Sequence, residues 1–177
     1  MHFVFPTCAG PVVTIEDPRI ALHTDKQVVA TWREVIFEVW LARGVERDIR
    51  ACTEAVGKIL SHTEGRIVGF TAVHPQAIGP VDGATRAALA DHTKQHNERS
   101  RAGALVLLAG GFSGAMIRSI ATGLNILSPP KHPTKVFDSI ERACPWVVAH
   151  VAPVDGRAVT ADELRAVFEK LPRPPGA

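Results

Sequence analysis

The sequence predicts an α/β domain built on a mixed β-sheet, and three observations lead to this prediction. Three β-rich runs follow one another within residues 19–40, separated only by short turns, which is typical of an antiparallel meander. After residue 44, helix-type and strand-type runs alternate, as they do in right-handed βα crossovers. Most of the helical runs carry one apolar stripe, so we expect these helices to pack on the sheet.

The composition indicates one globular domain. The chain has 177 residues, of which 46% are hydrophobic and 21% are charged. Its net charge of +2 comes from scattered basic residues, so the sequence predicts no nucleic-acid binding. The three cysteines form no CxxC pair, which favours neither a disulfide framework nor a structural zinc site. No apolar run reaches the roughly 18 residues of a membrane span, and the start resembles no signal peptide. We therefore expect a cytoplasmic protein.

The first third of the chain is predicted to be a proline-limited lead-in followed by the meander. Pro6 and Pro11 limit regular structure in residues 1–12. The β-rich runs lie at residues 13–15, which suit a short edge strand, and at residues 19–23, 28–32 and 35–40. The pattern leaves open whether residues 19–40 form three strands or two longer ones.

Helices and strands alternate from residue 45 onwards. A helix is predicted over residues 45–62, and a strand buried on both faces over residues 66–73. A loop rich in proline and glycine leads to a polar helix over residues 84–101, which we expect to be shallowly packed and mostly solvated.

The second half of the chain repeats this pattern. The predicted elements are a strand at residues 104–108, a helix at 116–127, a strand at 135–137 and a helix from 139 to 151. Residues 152–177 are predicted to be a linker and an amphipathic helix that opens with a capping box at Thr160. The predicted domain is therefore residues 13–151.

Short motifs in the C-terminal third resemble a known family. Residues 117–124, IRSIATGL, resemble a helix ending of STAS domains, and residues 136–143, VFDSIERA, resemble the last strand and helix of that family. Trp146 resembles the ending of the related SpoIIAA-like (STAS/SEC14-like) proteins. The resemblance implies a SpoIIAA-like fold and a non-enzymatic regulatory or protein-interaction module, which acts through a protein partner or through self-association.

One departure from the family concerns its phosphorylation switch. A switching STAS domain carries a serine in an Asp-Ser-Ser/Thr-Gly motif after a central strand. The matching region after Val73 holds no serine, and Thr85 is the nearest hydroxyl that follows an aspartate, Asp82. The resemblance therefore implies a module without the usual serine switch.

The glycine-rich turn after residue 108 has three interpretations. It can be a tight strand-to-helix turn with Ser113 as the N-cap, or its backbone amides can bind an anion at the helix start. It also approaches a nucleophile elbow, with Asp138 and His150 following in the order of a hydrolase. A Ser113-dependent hydrolase is the third alternative, and we predict no catalytic residues.

A ligand site is predicted at the carboxyl edge of the sheet, where open α/β sheets bind ligands. The residues assigned to ligand or partner binding are His74, Thr85, Gly110, Gly111, Ser113 and Gly114. Aromatic residues in the meander, Trp32 and Trp40, also permit a pocket for a small apolar ligand or lipid.

Two further patterns have competing interpretations. His92 and His96 share a helix face, which suits metal ligation, but Thr93 follows His92 and no HExxH motif is formed. We interpret them as solvated histidines and predict no metal or cofactor.

The apolar face of the last helix either packs on its own domain or docks on a partner. We assign it as a partner face, formed by Leu164, Val167, Phe168 and Leu171.

Overall fold

A computed structural model describes residues 16–108, 131–153 and 155–173, and within them the chain is an α/β protein. Six strands form one mixed sheet in the order β1-β2-β3-β4-β5-β6, so each described strand lies beside its neighbours in the chain. The strands are Arg19–His23 (β1), Gln27–Trp32 (β2), Val35–Trp40 (β3), Ile67–Val73 (β4), Ser100–Leu107 (β5) and Thr134–Phe137 (β6).

The meander consists of three strands, which answers the question that the sequence leaves open. The strand pairs β1–β2 and β2–β3 are antiparallel, and Trp32 is paired with Val35 across a two-residue turn. Arg33 in this turn has a φ of 53°, a left-handed conformation that suits a tight hairpin. Its guanidinium lies 4.7 Å from the centre of the Trp32 ring, so a cation–π contact supports the turn.

The rest of the sheet is parallel, as the alternating pattern predicts. The pairs β3–β4, β4–β5 and β5–β6 all run in parallel. The helices Glu46–Ser61 (α1) and Gly83–Asn97 (α2) make the first two crossovers and pack on each other. The helices Ile140–Val148 (α3) and Ala161–Glu169 (α4) pack together. Among the described residues, no helix combines the length and the apolar character of a membrane span.

Two apolar cores lie on the two faces of the sheet. Alternation along β3 sends Ile36 to the α1 face, and sends Val35, Phe37 and Val39 to the face that α3 and α4 cover. The α1 face is completed by helix residues such as Val56 and by Ile67 from β4. Every residue of β3 before Trp40 is buried, including Glu38. Strand β3 therefore contributes side chains to the cores on both faces of the sheet.

The predicted helix over residues 84–101 extends too far. The helix ends at Asn97, and β5 begins at Ser100. The segment Ser100–Leu107 is rich in alanine and glycine, so its local pattern does not distinguish a strand from a helix. Pairing with β4 decides its conformation, because Ala102 lies beside Val68 and Ala104 beside Phe70 in the register.

Helix α4 belongs to the main core, which corrects the partner-face assignment. Leu164 and Val167 have no exposed surface and Leu171 has 4% exposed, all three in the core that covers β3 and β4. The ring of Phe168 lies 6.3 Å from that of Phe37 and 5.5 Å from that of Phe70. This face is therefore occupied by the chain's own sheet, and residues 155–173 do not form a separate satellite.

The capping box at the start of α4 is confirmed. Thr160 accepts a hydrogen bond from the backbone N–H of Glu163, whose carboxylate in turn accepts one from the Thr160 backbone N–H. The lead-in over residues 1–12, the edge strand at 13–15 and the helix at 116–127 lie outside the described residues.

Candidate functional site

A carboxylate lies buried in the middle of the sheet. Glu38 is paired with Val29 of β2 and Thr71 of β4, and its side chain is only 6% exposed. An ionised carboxylate at such a place is strongly unfavourable unless it is paired with other charges or hydrogen-bonded. The residues that face Glu38 therefore determine what this part of the protein can do.

Two histidines of α2 supply the partners. Nε2 of His92 lies 2.9 Å from one carboxylate oxygen of Glu38, and Nδ1 of His96 lies 3.2 Å from the other. Their side chains are 10% and 14% exposed, so the prediction that they are solvated is wrong. The apolar side chains of α2 are alanines and Leu89, and the rest of its sequence is polar. Its histidine face is turned towards a carboxylate 54 residues earlier in the chain.

Helix α1 adds two more polar groups. The Sγ of Cys52 lies 3.6 Å from Oε2 of Glu38, and the hydroxyl of Thr53 lies 2.9 Å from Nδ1 of His92. We call Glu38, Cys52, Thr53, His92 and His96 the Glu38 cluster. It joins the sheet, α1 and α2 around one carboxylate.

The charges of the Glu38 cluster are coupled. Burial alone would raise the pKa of Glu38, but His92, His96 and a hydrogen bond from Cys52 outweigh it and lower the pKa to about 2. Burial lowers the pKa of His92, yet the Glu38 carboxylate outweighs it and raises that pKa. The pKa of His96 is lowered, because burial and the neighbouring histidines exceed the attraction of Glu38. Burial and Glu38 also raise the pKa of the Cys52 thiol.

A second site lies at the carboxyl edge of the parallel strands. It is a pocket of about 250 Å³ formed where β3, β4 and β5 end and where α3 begins. We call it the carboxyl-edge pocket, and its lining residues are Val39, His74, Leu108, Ile140, Glu141, Arg165, Phe168, Glu169, Leu171, Pro172 and Arg173.

Six of the eleven lining residues of the carboxyl-edge pocket are apolar, and the other five are His74, Glu141, Arg165, Glu169 and Arg173. His74 is held at the end of β4 by its backbone N–H, which donates to the Trp40 carbonyl at 2.9 Å. Burial lowers the pKa of His74, and Arg173 lowers it further. A neutral imidazole can both donate and accept a hydrogen bond, and Arg173 adds a positive charge beside it.

No family model matches the chain, and no curated protein or solved structure gives a significant match. The geometry of these two sites is therefore the basis for assigning a function.

Of the two predicted ligand residues that the structure describes, His74 lines the carboxyl-edge pocket and Thr85 does not. His74 lines the carboxyl-edge pocket, as its position at the end of a strand predicts. Thr85 is 2% exposed and lies outside the pocket lining, with its backbone N–H donating to the N-cap Asp82 at 2.7 Å. The remaining members of the predicted set lie outside the described residues: Gly110, Gly111, Ser113 and Gly114.

The two described members of the hydrolase alternative do not support it. Asp138 accepts a hydrogen bond from Arg142 at 2.9 Å, and Nδ1 of His150 lies 2.9 Å from the Trp146 carbonyl. Each side chain thus contacts a group four residues away in the chain, Asp138 at the start of α3 and His150 just after its end. In a catalytic triad the aspartate would instead hold the histidine ring.

Sequence reasoning missed Glu38 and Cys52. The run VIFEVW contains one charge among five apolar residues, and that charge is itself a signal, because a buried strand tolerates a carboxylate only beside a partner. The signal marks Glu38 as a residue that needs a buried partner, but the local sequence does not show that His92, 54 residues later, supplies it.

Proposed function

We propose that this chain is a non-enzymatic, cytoplasmic STAS-like regulatory module that binds a small ligand in the carboxyl-edge pocket. The observation that supports it is the pocket itself, which lies at the carboxyl ends of β3, β4 and β5. Open α/β sheets bind ligands at this edge because the strand ends and the following loops meet there.

The lining indicates the class of ligand. Apolar side chains such as Phe168, Ile140 and Leu108 suit an apolar body. His74, Arg165 and Arg173 can bind a polar or anionic head, in a lining that also contains the carboxylates of Glu141 and Glu169. Pockets for drug-sized ligands span roughly 300–1,000 Å³, so a pocket of about 250 Å³ suits a smaller molecule. A short-chain carboxylate combines these properties.

The element order supports a STAS-like module. A β-meander followed by alternating βα units is what the resemblance implies, and the sheet has that order in the described residues. The burial of Thr85 agrees with a module that lacks the usual phosphorylated serine. Binding of a ligand beside α3 and α4 would then take the place of phosphorylation as the regulatory signal.

Binding of short carboxylates tests this proposal. Calorimetric titration with a series of straight-chain carboxylates and the matching alcohols is expected to show carboxylate binding. His74→Gln and Arg173→Gln are expected to weaken carboxylate binding by about tenfold each, which corresponds to one lost polar contact. His62→Gln, an exposed histidine at the end of α1, is the matched control and is expected to bind like the wild type.

Two results would contradict the ligand proposal. One is the absence of binding by any carboxylate of the series, and the other is equal affinity of the wild type and the His74 and Arg173 variants.

A protein-interaction module is the second candidate, and β1 favours it, because β1 is an edge strand among the strands that the structure describes. Four of the five residues of β1 are exposed, and Ile20 is 45% exposed. An exposed edge strand can pair with a strand of another chain. Ile20→Lys is expected to abolish self-association measured by sedimentation, whereas a wild type that is monomeric at all concentrations would contradict association through this edge.

A further inference from the structure

We propose that Glu38, Cys52 and His92 form a binding site for a divalent transition-metal ion of the zinc class. This site lies on the opposite face of the sheet from α3 and α4 and is independent of the proposed ligand pocket. Nitrogen, sulfur and oxygen donors of these three residue types are the usual ligands of Zn²⁺ in proteins.

The distances suit one ion. The three donor atoms all lie within 4.8 Å of one another, with 2.9 Å between the Glu38 oxygen and the His92 nitrogen and 3.6 Å between that oxygen and the Cys52 sulfur. A tetrahedral ion at 2.0–2.3 Å from its ligands separates them by about 3.5 Å. The Glu38–Cys52 distance is close to this value, the Glu38–His92 distance is shorter, and the Cys52 sulfur and the His92 nitrogen lie within 4.8 Å of each other, so the side chains must adjust around a common centre.

Thr53 offers a contact that suits the metal-binding tautomer of His92. Its hydroxyl oxygen lies 2.8 Å from the Ile49 carbonyl and 2.9 Å from Nδ1 of His92. With the hydroxyl hydrogen on the Ile49 carbonyl, this oxygen accepts the Nδ1–H hydrogen. In that tautomer the neutral imidazole directs an Nε2 lone pair at Oε2 of Glu38 from 2.9 Å.

Two lone pairs at this distance require a positive charge between them. Either a proton on His92 or a metal ion can supply this charge. The sulfur of Cys52 lies beside the same oxygen and can serve as a third ligand of a metal ion, whereas a proton shared by His92 and Glu38 requires no third group. Contacts such as that of Thr53 with His92, which orient a ligand from outside the metal's own shell, are usual at zinc sites.

The charge balance also favours a divalent cation. On binding, Cys52 releases its thiol proton and His92 coordinates as the neutral imidazole, so any proton on that imidazole is released as well. The thiolate and the Glu38 carboxylate then carry two negative charges, which a divalent ion neutralises in a site where every ligand side chain is at most 10% exposed. His96 remains on the other carboxylate oxygen and holds Glu38 in place.

A groove between α1 and α2 lies next to the proposed site. It has a volume of about 550 Å³, and its lining includes Thr53, Ala88, Asp91 and Gln95. Thr53 lines this groove and contacts His92 at the same time, so the groove is one side chain away from the proposed ligands.

Titration of chelator-treated protein with Co²⁺ tests the proposal. We expect one equivalent to bind with a sulfur-to-cobalt charge-transfer absorption and with visible bands of a four-coordinate ion. Cys52→Ala is expected to lose the charge-transfer absorption, and Glu38→Gln and His92→Gln are expected to weaken binding by at least 100-fold. Thr53→Val, which removes only the hydroxyl that orients His92, is expected to weaken binding by about 10- to 100-fold.

Cys144→Ala and Cys8→Ala are the matched controls, since Cys144 is buried in the core on the other face of the sheet. Both are expected to keep the absorption. Circular dichroism of each variant checks folding, and a rise in the transition temperature of the chelator-treated wild type on addition of Zn²⁺ provides a second measurement that needs no variant. Absence of thiolate absorption and of this rise in the wild type, or an absorption that survives in Cys52→Ala, would overturn the proposal.

Discussion

Nε2 of His92 lies 2.9 Å from Oε2 of Glu38, although 54 positions separate the two residues in the chain. This contact joins α2 to the middle of the central strand β3. It also explains why a helix with few apolar side chains packs closely on the rest of the protein. The stability changes expected for substitutions refer to the metal-free protein, measured in the presence of a chelator.

Replacing Glu38 by glutamine is expected to destabilise the fold by about 3 kcal/mol, because it leaves the buried His92 facing a neutral group. Urea unfolding at neutral pH measures the free energy of unfolding. Glu54→Gln is the matched control, since Glu54 pairs with Lys58 on the exposed side of α1 with both side chains 71% exposed. The control is expected to change stability by less than about 0.5 kcal/mol. Equal effects of the two substitutions would contradict the role of Glu38.

Asp48 is expected to make stability depend on pH. Its carboxylate accepts hydrogen bonds at 2.9 Å from Lys26 and from the Val45 backbone, and these bonds outweigh the effect of burial and lower its pKa. A carboxyl group whose pKa is lower in the folded state stabilises the fold above its unfolded pKa of 3.8, and this stabilisation is lost as the pH falls. Asp48→Asn should therefore cost about 1–2 kcal/mol at neutral pH.

Urea unfolding of wild type and Asp48→Asn at several pH values measures this difference. It is expected to shrink as the pH falls below 3.8. A difference that stays constant down to strongly acidic pH would indicate that packing, and not the charge of Asp48, causes it.

Leu164→Ala is expected to destabilise the protein by about 2–5 kcal/mol, because Leu164 has no exposed surface and its removal leaves a cavity beneath α4. Arg165→Ala, the next residue and 45% exposed in its side chain, is the control and is expected to change stability by less than about 0.5 kcal/mol. If Leu164→Ala had no effect in thermal unfolding, α4 would not be part of the core.

Two glycines are expected to respond to alanine in opposite directions. A Cβ atom at Gly44 would lie 2.7 Å from the Trp40 ring, so Gly44→Ala should cost about 1–3 kcal/mol. Gly83 starts α2, and no other group lies within 4 Å of the added atom, so Gly83→Ala should stabilise the fold by about 0.5 kcal/mol. Calorimetry measures both transition temperatures, and a shift in the same direction for both would contradict this expectation.

The sequence predicts the fold class well because local patterns determine most of its elements. The β-rich composition of residues 35–40, the stripe of α1 and the capping box at Thr160 are each visible within a few residues. The boundary between α2 and β5 is not visible in this way, since Ser100 becomes part of a strand only by pairing beside Ile67.

Of the two candidate sites, one could be predicted from local sequence patterns and the other could not. His74 could be predicted because the end of a parallel strand is a known place for ligands. The Glu38 cluster could not be assembled from local patterns, because its members lie on three elements and each has an ordinary interpretation alone. Only the packing of α1 and α2 against β3 brings Cys52 and His92 to the carboxylate.

The sequential order of the sheet has a consequence for folding during synthesis. Because strand order equals chain order, the emerging chain can add the described strands one at a time without inserting any between earlier ones. Glu38, however, belongs to the third strand, and its partners on α2 are synthesised 54 or more residues later. We expect nascent chains that end before α2 to keep this carboxyl protonated or exposed to water, so that the α1 layer closes only when the histidines arrive.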